Sequence, residues 1–133
     1  MSERYFTPSE VERLIPALAE IMARVMAARE EVVALRETQR TEQQRITMAG
    51  GGVLDQAAWR RRAERLKALA QTMEGGLREV AAMGGVPKDL GLGLVDFPHQ
   101  RDGRVVNLCW KYGEKDVRYW HGLDEGYGGR KPL

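Results

Sequence analysis

Two histidines, one cysteine and a few acids and arginines carry the chemical versatility of this 133-residue sequence, and they crowd towards its C-terminal end. Cys109, His121 and two of the three tryptophans fall within the stretch LCWKYGEKDVRYWHGLDEGYGGR, residues 108–130, and His99 lies just upstream. A neutral imidazole ligates zinc, iron or manganese, or carries a proton near neutral pH. A thiolate is a nucleophile or a soft metal ligand. Which of these chemistries is open depends on which side chains share one face of the fold.

The local pattern assigns faces. LVDFP (94–98), RVVNLCW (104–110) and VRYWH (117–121) alternate apolar and polar residues and read as strands. Asp102-Gly103 is the preferred pair for a two-residue type I′ turn, which sets Arg101 opposite Arg104, Phe97 opposite Leu108 and Asp96 opposite Cys109. Gly113-Glu114 fits a two-residue type II′ turn, which sets Trp110 opposite Val117, Leu108 opposite Tyr119 and Val106 opposite His121. One face then gathers Val95, Phe97, Val106, Leu108, Trp110, Val117 and Tyr119 as a core. The other gathers Asp96, Asn107, Cys109, Arg118 and Trp120.

On that register His99 and His121 flank Val106 on the core side, about 10 Å apart in backbone. Asp124 follows His121 closely, and helix carboxylates such as Glu20, Glu30 and Glu31 are further candidates. Such a set suits a divalent metal, zinc, iron or manganese. Either histidine can equally serve as a cap or a hydrogen-bonded core residue. His121 with Asp124 is also an acid–base pair in outline. Cys109 falls on the opposite face, between Asp96 and Arg118. That placement separates thiol from imidazole and favours a small core residue over a nucleophile. A three-residue second loop would reverse this, pairing Cys109 with Tyr119 and Asn107 with His121.

The glycine-rich tail 122–133 carries Arg130, which can reach back to Asp96, Asp124 or Glu114 as an ion pair. With Arg104 or Arg118 it would instead hold an anion. The primary ligand or metal candidates are therefore His99, His121, Asp124 and Arg130, with Asp96, Cys109 and Arg118 secondary.

Two helices must support the sheet. TPSE at 7–10 holds a cap, a proline at the first helical position and a capping-box glutamate. Val11, Leu14, Leu18, Ile21, Val25, Ala28, Val32 and Leu35 then recur in steps of three and four, a heptad seam flanked by Ile15 and Met22. The first helix spans 7–46, with Pro16 bending its early turns. TMAGGGVLD at 47–55 breaks the pattern. A second helix, 55–83, carries Trp59, Ala63, Leu66, Leu69, Met73, Leu77, Val80 and Met83, and Gly84-Gly85 ends it. Gly75-Gly76 inside it marks a kink or a close helix neighbour.

The expectation is an α+β single domain, 1–133: a long antiparallel helical hairpin, a three-stranded antiparallel meander over 94–121, and the tail. Two long helices have too little core alone, so the seam predicts a coiled-coil-like homodimer. Net charge is only +2, from 21 basic and 19 acidic residues, which gives no broad field for nucleic acid or anionic lipid. Arg60, Arg61, Arg62, Arg65 and Lys67 form the one basic stretch; a solvated helix face is its default reading, and phosphate-backbone binding its alternative. A lone cysteine needs no oxidising compartment, the start is no signal peptide and no apolar run spans a membrane, so the expected location is the cytoplasm.

FTPSEVERLIPAL at the N-terminus, and GLVDFP, LCWKYGE, YWHGLD and GRKPL within 88–133, carry a resemblance that covers essentially the whole chain. It resembles a set of small bacterial and archaeal proteins of uncharacterised function, domain of unknown function 2203. The resemblance implies a complete single-domain protein and supplies no reaction, cofactor or catalytic residue. The functional expectation therefore rests on the residues: a small-ligand or metal-binding domain with its site near the C-terminal sheet. The alternatives are an interaction module without catalysis or a nucleic-acid-associated regulator.

Overall fold

The computed structural model describes residues 4–50 and 55–133. Two helices come first, α1 (Pro8–Met48) and α2 (Gln56–Met83). The capping box forms as its residue types require: Glu10 N–H donates to Thr7 Oγ1 at 3.2 Å and Thr7 N–H to Glu10 Oε1 at 2.9 Å. Asp55 caps α2 by accepting from Ala58 N–H at 3.0 Å, and Gly84 ends it at φ +96°. Part of the expected helix break, residues 51–54, lies outside the described residues.

The ion pairs Arg24–Glu79, Glu31–Arg65 and Glu42–Arg62 advance along α1 as they retreat along α2, so the helices are antiparallel. At Gly76 the two helices approach closely. A Cβ there would lie 2.4 Å from Val25 Cγ2, whereas at Gly75 it would meet nothing. Close approach therefore accounts for the second glycine.

The sheet has five antiparallel strands, not the expected three: β1 (Val86–Asp89), β2 (Leu94–Arg101), β3 (Arg104–Lys111), β4 (Tyr119–His121) and β5 (Lys131–Pro132), in sequential order. β1 and β5 escape a periodicity reading because they are four and two residues long and each contains a proline. The tail thus turns through a short 3₁₀ segment, Tyr127–Gly129, and returns to pair with β4.

One sheet face lies on the helices. Val95, Phe97, Leu108, Trp110 and Val117 join Val11, Leu18, Met22 and Val25 of α1 and Val80 of α2 in one core, with Phe6 packed edge-on against Phe97 at 5.2 Å. Of the predicted seam, Val11, Leu18, Ile21, Val25 and Ala28 are buried, as are the flanking Ile15 and Met22. Ala28 is the last buried residue of α1, and Val32 and Leu35 beyond it are only half-buried. None of the described helices is long and apolar enough to cross a membrane.

Candidate functional site

The two connections flanking β3 decide which side chains meet. In the first, Asp102 and Gly103 take φ +52° and +76°, the two positive values a type I′ turn demands. Its register follows: Arg101 pairs with Arg104, Phe97 with Leu108 and Asp96 with Cys109.

The second connection is not a two-residue hairpin. Gly113, at φ +99°, is the third residue of a turn closed by Glu114 N–H donating to the Lys111 carbonyl at 2.9 Å. The chain then runs on to Arg118 before β4 begins. Three contacts hold it there. Glu114 Oε1 accepts from Lys111 N–H at 2.6 Å, Trp110 Nε1–H donates to the Glu114 carbonyl at 3.0 Å, and Val117 N–H donates to Glu12 Oε1 on α1 at 3.2 Å. Val117 enters the core, and β4 pairs Cys109 with Tyr119, Leu108 with Trp120 and Asn107 with His121.

This register is one residue away from the two-residue expectation, and in a strand one residue changes the face. Trp120, not Tyr119, packs against the core, and His121 joins Cys109 and Asp96 on the other side of the sheet. The expected separation of thiol and imidazole is overturned.

Asp96, Cys109 and His121 are 2%, 1% and 3% exposed, and one donor atom from each lies within 4.8 Å of the others. His121 Nε2 is 3.0 Å from Asp96 Oδ1, and its Nδ1–H donates to the Gly122 carbonyl at 2.8 Å. Asp96 Oδ2 is buried with no hydrogen-bond partner. A buried carboxylate oxygen without a donor is costly. Both His121 ring nitrogens lie against oxygens, Asp96 Oδ1 and the Gly122 carbonyl, rather than against the Cys109 thiol. Burial pushes the Cys109 thiol up to about 11; Arg130 pulls the other way, and Asp96 adds to the rise. The Cys109 sulfur is therefore a protonated thiol at neutral pH.

Arg130 covers this cluster. Its Nη2 donates to the Cys109 carbonyl at 3.1 Å and to Glu114 Oε1 at 2.7 Å, and its guanidinium lies 4.3 Å from the Tyr119 ring centre and 4.9 Å from that of Tyr127. Of its three candidate acidic partners, Glu114 is the one engaged. The tail is tied down by Lys131, which donates to Glu125 Oε1 at 2.6 Å, while Gly122 N–H donates to the same oxygen at 2.8 Å.

Other sequence candidates fall elsewhere. His99 pairs with Val106 and its Nδ1–H donates to the Phe6 carbonyl at 2.6 Å, a structural bond one register position and one face away from His121. Asp124 is exposed beside Arg104, Trp120 and Lys131 in a notch beyond the end of β4. Arg118 is exposed and paired with Asp116 at 2.8 Å, so the expected row Asp96–Cys109–Arg118 is instead Asp96–Cys109–Tyr119. Glu20 and Glu30 are exposed on α1, and Glu31 is spent on Arg65. Within the basic stretch, Arg62 and Arg65 bridge to acids of α1, while Arg60, Arg61 and Lys67 are exposed.

The fold and cluster define an α+β domain in which a helical hairpin backs a meander bearing one buried Asp–Cys–His group. The chain belongs to the uncharacterized conserved protein family DUF2203, whose profile matches residues 4–133. No curated protein and no solved structure matches it.

Proposed function

We propose that this protein is a divalent-metal-binding domain whose ligands are an Asp96 carboxylate oxygen, the Cys109 sulfur and His121 Nε2. The observation that carries the reading is the Asp96 carboxylate, 2% exposed with Oδ2 unpartnered, within reach of a thiol and an imidazole. A cation would satisfy that oxygen. The Nδ1–H bond from His121 to the Gly122 carbonyl is the outer-shell arrangement that leaves Nε2 as the coordinating nitrogen. Tetrahedral zinc, with bonds of about 2.0–2.3 Å, needs its donors about 3.3–3.6 Å apart, so the 3.0 Å Asp96–His121 pair would open slightly and the longer separations, up to 4.8 Å, would contract around the ion. A mixed S, N, O set suits zinc, and three protein donors leave a fourth position for water or another ligand. Binding would also convert the protonated thiol to thiolate, since metal ligation and deprotonation are linked.

A free, buried thiol used as a ligand suits a reducing compartment such as the cytoplasm. The second part of the reading is assembly: the hairpin beyond Ala28, unsupported by the sheet, serves to join two copies.

Elemental analysis of untagged protein tests the metal. The reading expects about one zinc-class ion per chain, a melting temperature that rises with added Zn²⁺, and loss of both in Asp96→Asn and His121→Gln. Protein with no stoichiometric metal and no thermal response to divalent ions would remove it.

A further inference from the structure

Between α1 and α2, on the flank the sheet leaves open, runs an apolar groove of about 580 Å³ lined by Val32, Leu66, Ala70, Met73, Leu77 and Ala81. Ala70 and Ala81 are exposed there, and Val32, Leu66, Met73 and Leu77 are half-buried. The α2 members follow steps of four, three, four and four, the spacing of a helix-packing stripe.

The order of sizes along this stripe is self-complementary. A twofold axis crossing α2 between Met73 and Glu74 would run a second α2 antiparallel to the first. It would set Leu66 opposite Ala81 of the second copy and Ala70 opposite Leu77, with the two Met73 side chains flanking the axis. Leu66 and Leu77 then each meet an alanine, which is how facing helices interdigitate, Met73 meets its own counterpart at the axis, and each copy supplies both halves of the pattern, as an isologous interface requires. Glu74, the charge nearest the axis, is already paired with Arg78 on its own helix, so the axis does not bring two uncompensated carboxylates together.

The area is sufficient. On this axis about 20 residues of α2 overlap, roughly 30 Å of helix, and with α1 alongside the face is about 20 Å wide. That gives about 600 Å² per copy and about 1,200 Å² in all, the lower end of the range for specific interfaces.

We infer that the Leu66–Ala81 face of α2, with Val32 of α1, is the site at which a second copy of this chain docks antiparallel to form a four-helix bundle. This rests on the homodimer reading and is independent of the metal.

Light scattering and disulfide trapping test it. At micromolar concentration the native protein should have about twice its 15.0 kDa chain mass. Ala70→Glu changes a side chain that is exposed in the single copy, and should halve that mass while leaving helical circular dichroism unchanged. Met73→Cys should oxidise to a covalent dimer, and Gln71→Cys, off the face, should not. A native protein of single-chain mass overturns the dimer reading itself. A dimer that survives Ala70→Glu, with Met73→Cys untrapped, keeps the dimer but places it on another face and overturns this inference.

Discussion

The Asp102-Gly103 hairpin and the Lys111–Tyr119 connection join the same strand, β3, to its two neighbours, yet different forces set their registers. In the first, two residues with positive φ fix the pairing locally: Asp-Gly is sufficient, and Arg101 must face Arg104. In the second, side chains fix it, two from within the turn and one from α1. Glu114 folds back onto Lys111 N–H, the indole of Trp110 ties the Glu114 carbonyl, and Glu12, 105 residues earlier, holds Val117 N–H. The register that brings His121 to Cys109 therefore depends on a tertiary contact as well as on its turn, whereas the one that brings Asp96 to Cys109 is a property of the turn alone.

Four experiments would break or sharpen this contrast. The largest effect is chemical. Because the second register buries Cys109 and raises its thiol to about 11, alkylation at pH 8 should be at least about 100-fold slower in the native protein than in urea. Equal rates would mean that β4 does not cover the sulfur.

Next comes Glu114→Ala, which removes the acceptor of Lys111 N–H and leaves Arg130 without its carboxylate; a loss of about 2–3 kcal/mol in urea unfolding is expected. It should also speed Cys109 alkylation, which a merely general destabilisation of the helices would not do at low denaturant.

Gly103→Ala and Gly113→Ala should each cost about 1–2 kcal/mol, since both sites hold positive φ in open space and the strain is purely of the backbone. Heteronuclear NMR should show the Asp96–Cys109 pairing loosened or shifted in Gly103→Ala, since the turn alone sets it. Native pairing with no loss of stability there would contradict the local account of the first hairpin.

The smallest effect is electrostatic. The hydrogen bond from Lys131, followed by that from Gly122 N–H, lowers the Glu125 pKa below the ordinary carboxylate value. A lowered folded pKa contributes stability above the unfolded value, and that contribution fades as pH falls through the folded one. An NMR titration should therefore place the Glu125 midpoint below 4.5, with the tail loosening only at still more acidic pH. A midpoint at or above 4.5 would detach the tail from this contact.

These contrasts also explain what was legible in the sequence. Caps, periodicity and the Asp-Gly turn are local signals, so both helices, the β2–β3 register and the Asp96–Cys109 pair could be read directly. The position of His121 could not. Gly113 suits both the first central place of a type II′ turn and the third place of the turn actually formed, and the contacts that distinguish them include Glu12 on α1 and the core position of Val117. Because alternation has period two, that single ambiguity moved His121 to the wrong face and His99 into its company. The role of Arg130 was legible as an ion pair, with Glu114 among its candidates, but not its placement over Cys109, which depends on the two-residue strand β5. On α2, the apolar stripe was visible in the sequence. Which part of it the sheet would cover was not, because that depends on where the sheet sits along the hairpin.

Cobalt substitution tests the central claim, that Asp96, Cys109 and His121 hold one metal ion, most directly. Titrating Co²⁺ into chelator-treated protein should saturate at one ion per chain, with the intense visible bands of tetrahedral geometry and a thiolate-to-metal charge-transfer band in the near ultraviolet. Cys109→Ser should abolish that charge-transfer band, and His121→Gln should weaken binding by about 10-fold or more. Weak, octahedral-type spectra that do not saturate, identical in the native protein and in Cys109→Ser, would contradict the account and leave the Asp96–His121 pair as a purely structural contact.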